Sequence, residues 1–140
     1  MPTTKLKVTG INHVVLHVTD VERSKRFYME VLGFEDRNLS VGSSMKASFL
    51  RCGVQGLDLF EVSNGDVHGG KEMNHMALCV AADDLEEIVA ELSKIGVETS
   101  DTTTRNTVFI SDPDGHRIEM LPLSADERAW SVNRREPQRE

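Results

Sequence analysis

The segment GINHVVLHV, residues 10–18, carries two imidazoles, His13 and His17, in a run otherwise suited to burial. A strand alternates its side chains between two faces, so His13, Val15 and His17 share one face and Val14, Leu16 and Val18 the other. A third imidazole, His75, follows an asparagine in MNHMALCV as His13 does in INHVVLHV. In HRIEMLPL, Glu119 falls on the strand face of Arg117 and Leu121, while Ile118 and Met120 point to a core. Two imidazoles and one carboxylate with open positions form the triad favoured by non-haem Fe(II), and the same donors suit Zn, Mn, Ni or Co. Such an ion takes substrate oxygens in its remaining positions and acts as Lewis acid and template. Asp58 in LDLFEV aligns with Glu119 in IEMLPL, completing a pseudo-symmetric set of two imidazoles and two carboxylates.

Positioning these groups requires elements that repeat. DVERSKRFYMEVLGFE sets Val21, Phe27, Tyr28, Val31 and Leu32 on one helical side, with Asp20 as N-cap and Gly33 ending the helix. DDLEEIVAELSKIGVE does the same with Leu85, Ile88, Val89, Leu92 and Ile95, begun by Asp83 or Asp84 and ended by Gly96. Each helix follows an Asn-His strand and precedes three strand-like runs. In the first half these are FEDRNLSV, SMKASFLR and GLDLFEV, and in the second VETS, NTVFIS and HRIEMLPL. Both halves thus read strand–helix–strand–strand–strand, a duplicated unit.

With 140 residues, 39% hydrophobic and 28% charged, the chain fits one folded domain with a core of its own. The expected layout is a first module over 8–63, a Gly-rich polar linker over 64–73, a second module over 74–122 and a tail over 123–140. In that tail Ser124 and Glu127 form a capping box for a short helix bearing Ala129 and Trp130. A formal charge of −7 leaves no basic field for nucleic acid, and no apolar run is long enough for a membrane span. The start MPTTK does not begin a signal peptide, and Cys52 and Cys79 form no CxxC pair. A cytoplasmic protein with reduced thiols is expected. The linker around His68 is placed to act as a lid.

Three stretches, INHVVLHVTDVERSKRFYMEVLGFE, MNHMALCV and FISDPDGHRIEML, resemble the vicinal oxygen chelate superfamily. That superfamily includes glyoxalase I, methylmalonyl-CoA epimerase, extradiol dioxygenases, fosfomycin-resistance enzymes and bleomycin-binding proteins. The combination Asp20, Ser24, Phe27, Tyr28, Leu32, Gly33 and the later Asp112 to Gly115 with Ile118 and Glu119 carry the likeness. The resemblance implies an α+β fold of two tandem βαβββ modules, forming a curved mixed sheet around a metal cup. It places metal ligands at His13, His75 and Glu119, holding one divalent ion (Fe, Zn, Mn, Ni or Co). At the fourth position, Glu or Gln in glyoxalase- and epimerase-like members, this chain has Asp58. Its shorter side chain makes it a weak or indirect ligand, and Asp58 or Glu119 is the candidate proton shuttle. Glu61 falls on the opposite strand face, and His17 is a pocket wall or proton carrier. By strand alternation Met45, Phe49, Phe60, Cys79 and Phe109 are the expected pocket lining. The implied activity is a metalloenzyme for a small oxygenated substrate bound through vicinal oxygens: an isomerase, a lyase or a ring-cleaving dioxygenase. A metal-free protein sequestering a drug or metabolite, of the bleomycin-resistance type, is the alternative. A homodimer is the expected assembly.

Overall fold

The computed structural model describes residues 3–7, 10–40, 42, 45–100 and 107–122. The expected helix with Trp130 lies outside the described residues. The chain divides into two compact units, residues 1–67 and 68–140, a division that falls inside the expected linker.

In the first unit β1 (His13–Val18) is followed by α1 (Val21–Glu30), β2 (Glu35–Asp36), β3 (Ala47–Cys52) and β4 (Gln55–Glu61). The sheet order is β1-β4-β3-β2, with β1 parallel to β4 and the other pairs antiparallel. Asp20 accepts from the Arg23 amide and caps α1. The helix stops at Gly33, whose φ of 72° lies in the left-handed region that a side chain disfavours. The amides of Gly33 and Phe34 turn back to the Met29 and Tyr28 carbonyls, which closes the helix end. Helix α1 packs on β3 and β4. Its buried side is Val21, Ser24 and Tyr28, and Leu16, Val18, Leu50, Leu57 and Leu59 are the buried aliphatic residues of the sheet. Each such aliphatic side chain contributes roughly 1.5–3 kcal/mol.

The second unit repeats the plan with β5 (Met76–Val80), α2 (Leu85–Lys94), β6 (Val108–Ser111) and β7 (Arg117–Pro122). Sheet order is β5-β7-β6, again parallel for the first pair and antiparallel for the second. Of the two candidate caps for α2, Asp84 holds the Glu87 amide. Helix α2 packs on β7; its buried side is Ile88 and Leu92, and Val108, Ile110, Ile118 and Met120 are buried in the strands. The α+β architecture with one mixed sheet per unit follows the expected class.

Three expectations change. VETS forms no strand, although the Ser100 amide does reach the Phe109 carbonyl. Among the described residues of FEDRNLSV, 34–40, only Glu35 and Asp36 pair, as β2. Ile95 follows the last turn of α2 and stays 58% exposed, because the chain leaves the helix before that position can turn inward. Among the described residues no helix is long and apolar enough to cross a membrane.

Candidate metal centre

Strand register sets each histidine beside a carboxylate in the same way in both units. Parallel pairing matches Val15 with Asp58 and Ala77 with Glu119. His13 and His75 lie two residues before those partners and share their face. His13 Nε2 stands 3.6 Å from Asp58 Oδ2, and His75 Nε2 stands 3.1 Å from Glu119 Oε2. On the other side of each carboxylate the antiparallel register brings Phe49 opposite Asp58 and Phe109 opposite Glu119. The expected alignment of Asp58 with Glu119 is therefore visible strand by strand. Each unit by itself supplies one imidazole and one carboxylate.

The tautomers follow from the preceding asparagines. His13 Nδ1 lies 2.8 Å from Asn12 Oδ1, and His75 Nδ1 lies 2.8 Å from Asn74 Oδ1. An amide oxygen only accepts, so each Nδ1 carries the proton and donates it. A neutral imidazole of that tautomer turns its Nε2 lone pair toward a carboxylate oxygen. Two acceptors then face one another, and a cation or a proton between them turns that contact favourable. Asp58 adds a second unspent acceptor: it is 5% exposed, and its buried Oδ1 has no hydrogen-bond partner among the described residues. Leaving such an atom unpaired costs about 1–3 kcal/mol. Facing lone pairs and an orphaned carboxylate oxygen match a divalent cation in donor type, but each pair offers two donors, and among the described residues no group of three or more His, Cys, Asp or Glu gathers as a metal site.

Supporting residues differ between the units. Glu119 Oε1 lies 3.0 Å from the Thr107 hydroxyl, which also sits 3.1 Å from the Met120 carbonyl and has one proton for the two. Arg117 lays its guanidinium over the Phe109 ring, 4.7 Å from the centroid, and that ring meets His75 edge-on at 5.3 Å. In the first unit the position matching Arg117 is Gly56, where a Cβ would come within 2.9 Å of His13 Cβ. Only glycine lets β4 run this close to β1, with the Gly56 amide 2.7 Å from the Asn12 carbonyl.

The remaining expected site residues fall in several places. His17 is exposed on the His13 face and pairs in register with Phe60, about 13 Å along the strand from His13 at ~3.3 Å per residue. Phe60 and Phe49 meet at 6.3 Å on the Asp58 face. Cys79 is exposed on the face of β5 that carries His75. Met45 precedes β3 and lines an open cleft of about 520 Å³ with Thr19, Val21, Lys46 and Glu61. Glu61 is occupied with the fold, accepting from the Val21 amide at 3.0 Å and pairing with Lys46 at 3.4 Å. The linker around His68 packs within its own unit: a Cβ on Gly69 would come within 2.6 Å of the Asp114 carbonyl oxygen. Asn12, Asn74, Thr107 and Gly56 were not expected as site residues, although the repeated Asn-His pair signalled the first two.

A family model, the Glyoxalase/Bleomycin resistance protein/Dioxygenase superfamily, matches residues 10–120. The chain belongs to this superfamily. Among the superfamily's curated relatives, the metallothiol transferase FosB of Staphylococcus saprophyticus is 27% identical, over 81% of this chain and 76% of its own length. The fosfomycin resistance protein FosX of Listeria monocytogenes is 22% identical, over 86% of this chain and 95% of its own. A crystal structure of that FosX superposes with a TM-score of 0.71 over 88% of this chain and 98% of the other, at 20% identity. A variant of it, crystallised with Mn(II) and 1S,2S-dihydroxypropylphosphonic acid, gives a TM-score of 0.70 over 87% and 98%, at 19% identity. These superpositions support the same fold.

Proposed function

We propose that this chain is a divalent-metal-dependent enzyme acting on a small oxygenated substrate held through two neighbouring oxygens. His13, His75 and Glu119 would hold the ion. The observation that carries this reading is the matched pair of Nε2–carboxylate contacts at equivalent strand positions. The superfamily membership and the Mn(II) bound by a structural neighbour support it. When bound, the ion supplies Lewis-acid polarisation of substrate oxygens and a template for their approach.

The chain's own residues do the rest. Asn12 and Asn74 keep Nδ1 protonated, so that both Nε2 atoms remain donors. Thr107 fixes the outer oxygen of Glu119 and leaves Oε2 facing His75. Asp58 holds or moves a proton at its unpaired Oδ1, as a general base does. Phe49, Phe60 and Phe109 supply apolar wall beside the carboxylates, Cys79 and His17 lie on the histidine-bearing faces, and Met45 belongs to the neighbouring cleft. The protein works as a homodimer.

Fosfomycin is the first substrate to test, because the FosB and FosX relatives are named for thiol transfer and fosfomycin resistance. The measurement is ³¹P NMR of fosfomycin with protein and Mn(II), with and without added thiol. Metal-dependent conversion that stops with chelator is expected. Catechols and a glutathione hemithioacetal extend the panel under the same metal. No metal-dependent turnover of any of them, together with stoichiometric binding of bleomycin by metal-free protein, would overturn the enzyme reading in favour of sequestration.

A further inference from the structure

The second unit holds its histidine through a longer chain of contacts than the first. Asn74 Oδ1 accepts from His75 Nδ1 at 2.8 Å and also from Arg117 Nη1 at 3.3 Å. An amide can present either its oxygen or its NH₂ group to a neighbour, and the two choices demand opposite tautomers of an adjacent imidazole. A guanidinium has five donors and no acceptor. If the Asn74 amide turned over, its NH₂ would face the Arg117 guanidinium donor to donor.

We infer that Arg117 is a positioning residue that locks the Asn74 amide and through it the His75 tautomer, presetting Nε2 as a metal donor. Three contacts hold the guanidinium for this task. Its face lies on the Phe109 ring at 4.7 Å, one Nη reaches Asn74, and its stem runs beside Gly70, whose added Cβ would sit 3.7 Å from Arg117 Cδ. Gly70 takes a φ of 77°, and Gly69 before it sits against the Asp114–Gly115 backbone with no room for a side chain. The linker thus works as a strap against Arg117. In the first unit the matching position is Gly56, which has no side chain of its own, and Arg37 Nη1 stands 3.6 Å from where its Cβ would be. The part of this inference that concerns metal rests on the proposed function, whereas the tautomer does not.

The test uses the full chain with ¹⁵N-labelled histidine, metal-free, in buffer well above the ordinary imidazole range, at pH about 8.5. Two-bond ¹H–¹⁵N spectra read the tautomer of His75, and calorimetric titration with Mn(II) reads its affinity. Wild type is expected to show His75 as the Nδ1–H tautomer. Arg117→Met keeps the apolar stem over Phe109 and should convert His75 to a tautomer mixture, with Mn(II) affinity falling about tenfold. Asn74→Asp offers only acceptors, so adding Arg117→Met to it should leave the Nδ1–H form in place. An unchanged His75 tautomer in folded Arg117→Met overturns the inference. A changed tautomer with unchanged Mn(II) affinity keeps the lock but removes His75 from the metal, contradicting the proposed function instead.

Discussion

In the first unit His13 faces a carboxylate one methylene shorter than the one His75 faces in the second, across 3.6 Å rather than 3.1 Å. The shorter carboxylate is also the more buried, its side chain 7% exposed against 19% for Glu119. Glu119 spends its outer oxygen on Thr107, whereas the corresponding oxygen of Asp58 is unspent. Around His75 stand Asn74, Arg117 and Phe109, and around His13 the backbone of Gly56 closes in. One repeat thus braces its imidazole–carboxylate pair, while the other leaves a buried carboxylate oxygen without a hydrogen-bond partner among the described residues. The same register occurs twice, and the side chains around it differ.

The largest effects should come from removing a donor. His75→Ala and Glu119→Ala should each weaken Mn(II) binding by more than about 100-fold in calorimetric titration, beyond the 10–100-fold typical when only a supporting residue is lost. Asp58→Asn should divide the units' roles. It is expected to lower turnover about 10²–10⁴-fold while costing much less in metal affinity. The same change removes a buried charge and offers an NH₂ group toward His13 Nε2, so melting of the metal-free protein near pH 8 should rise by about 2–6 °C. A fall in both affinity and melting temperature as steep as for Glu119→Ala would mean the two carboxylates do the same job.

Gly56→Ala probes the close approach peculiar to the first unit. Its Cβ would meet His13 Cβ at 2.9 Å, so a loss of about 1–3 kcal/mol is expected in urea unfolding. Gly65→Ala, with nothing within 4 Å of its added Cβ, should change stability by less than about 0.5 kcal/mol. The smallest effect lies at Lys25 and Asp36, 2.7 Å apart in the first unit. The hydrogen bond from Lys25 holds the Asp36 carboxyl below its usual value. A lowered folded value stabilises above the unfolded one, and the gain fades as pH falls through the folded value. Lys25→Met should therefore cost about 0.5 kcal/mol at neutral pH, and that difference from wild type should vanish in strong acid.

Much of this was legible in the sequence because strands and helices have fixed periods. Alternation alone separates Glu119 from Ile118 and Met120, and the structure buries the latter two at 0% and 6% exposure. The Asn-His repeat with its following helix located both imidazoles. What could not be read depends on contacts between distant segments. Burial of Asp58 arises because β4 lies between β1 and β3, and the sequence LDLFEV reads equally well at a sheet edge. Glu61 was recognised as off the ligand face, but its bond to the Val21 amide needs the helix in place. Thr107 and Gly69 serve through close neighbours far along the chain, Glu119 for one and Asp114 for the other. VETS has strand composition, yet no ladder forms there.

The proposed ligand set of His13, His75 and Glu119 serves a single ion, and metal counting tests that most directly. Protein purified without chelator and dialysed against Mn(II) should hold one ion per chain by elemental analysis, and His13→Ala and His75→Ala should each abolish it. Two ions per chain, or one ion that survives His13→Ala undiminished, would contradict the account.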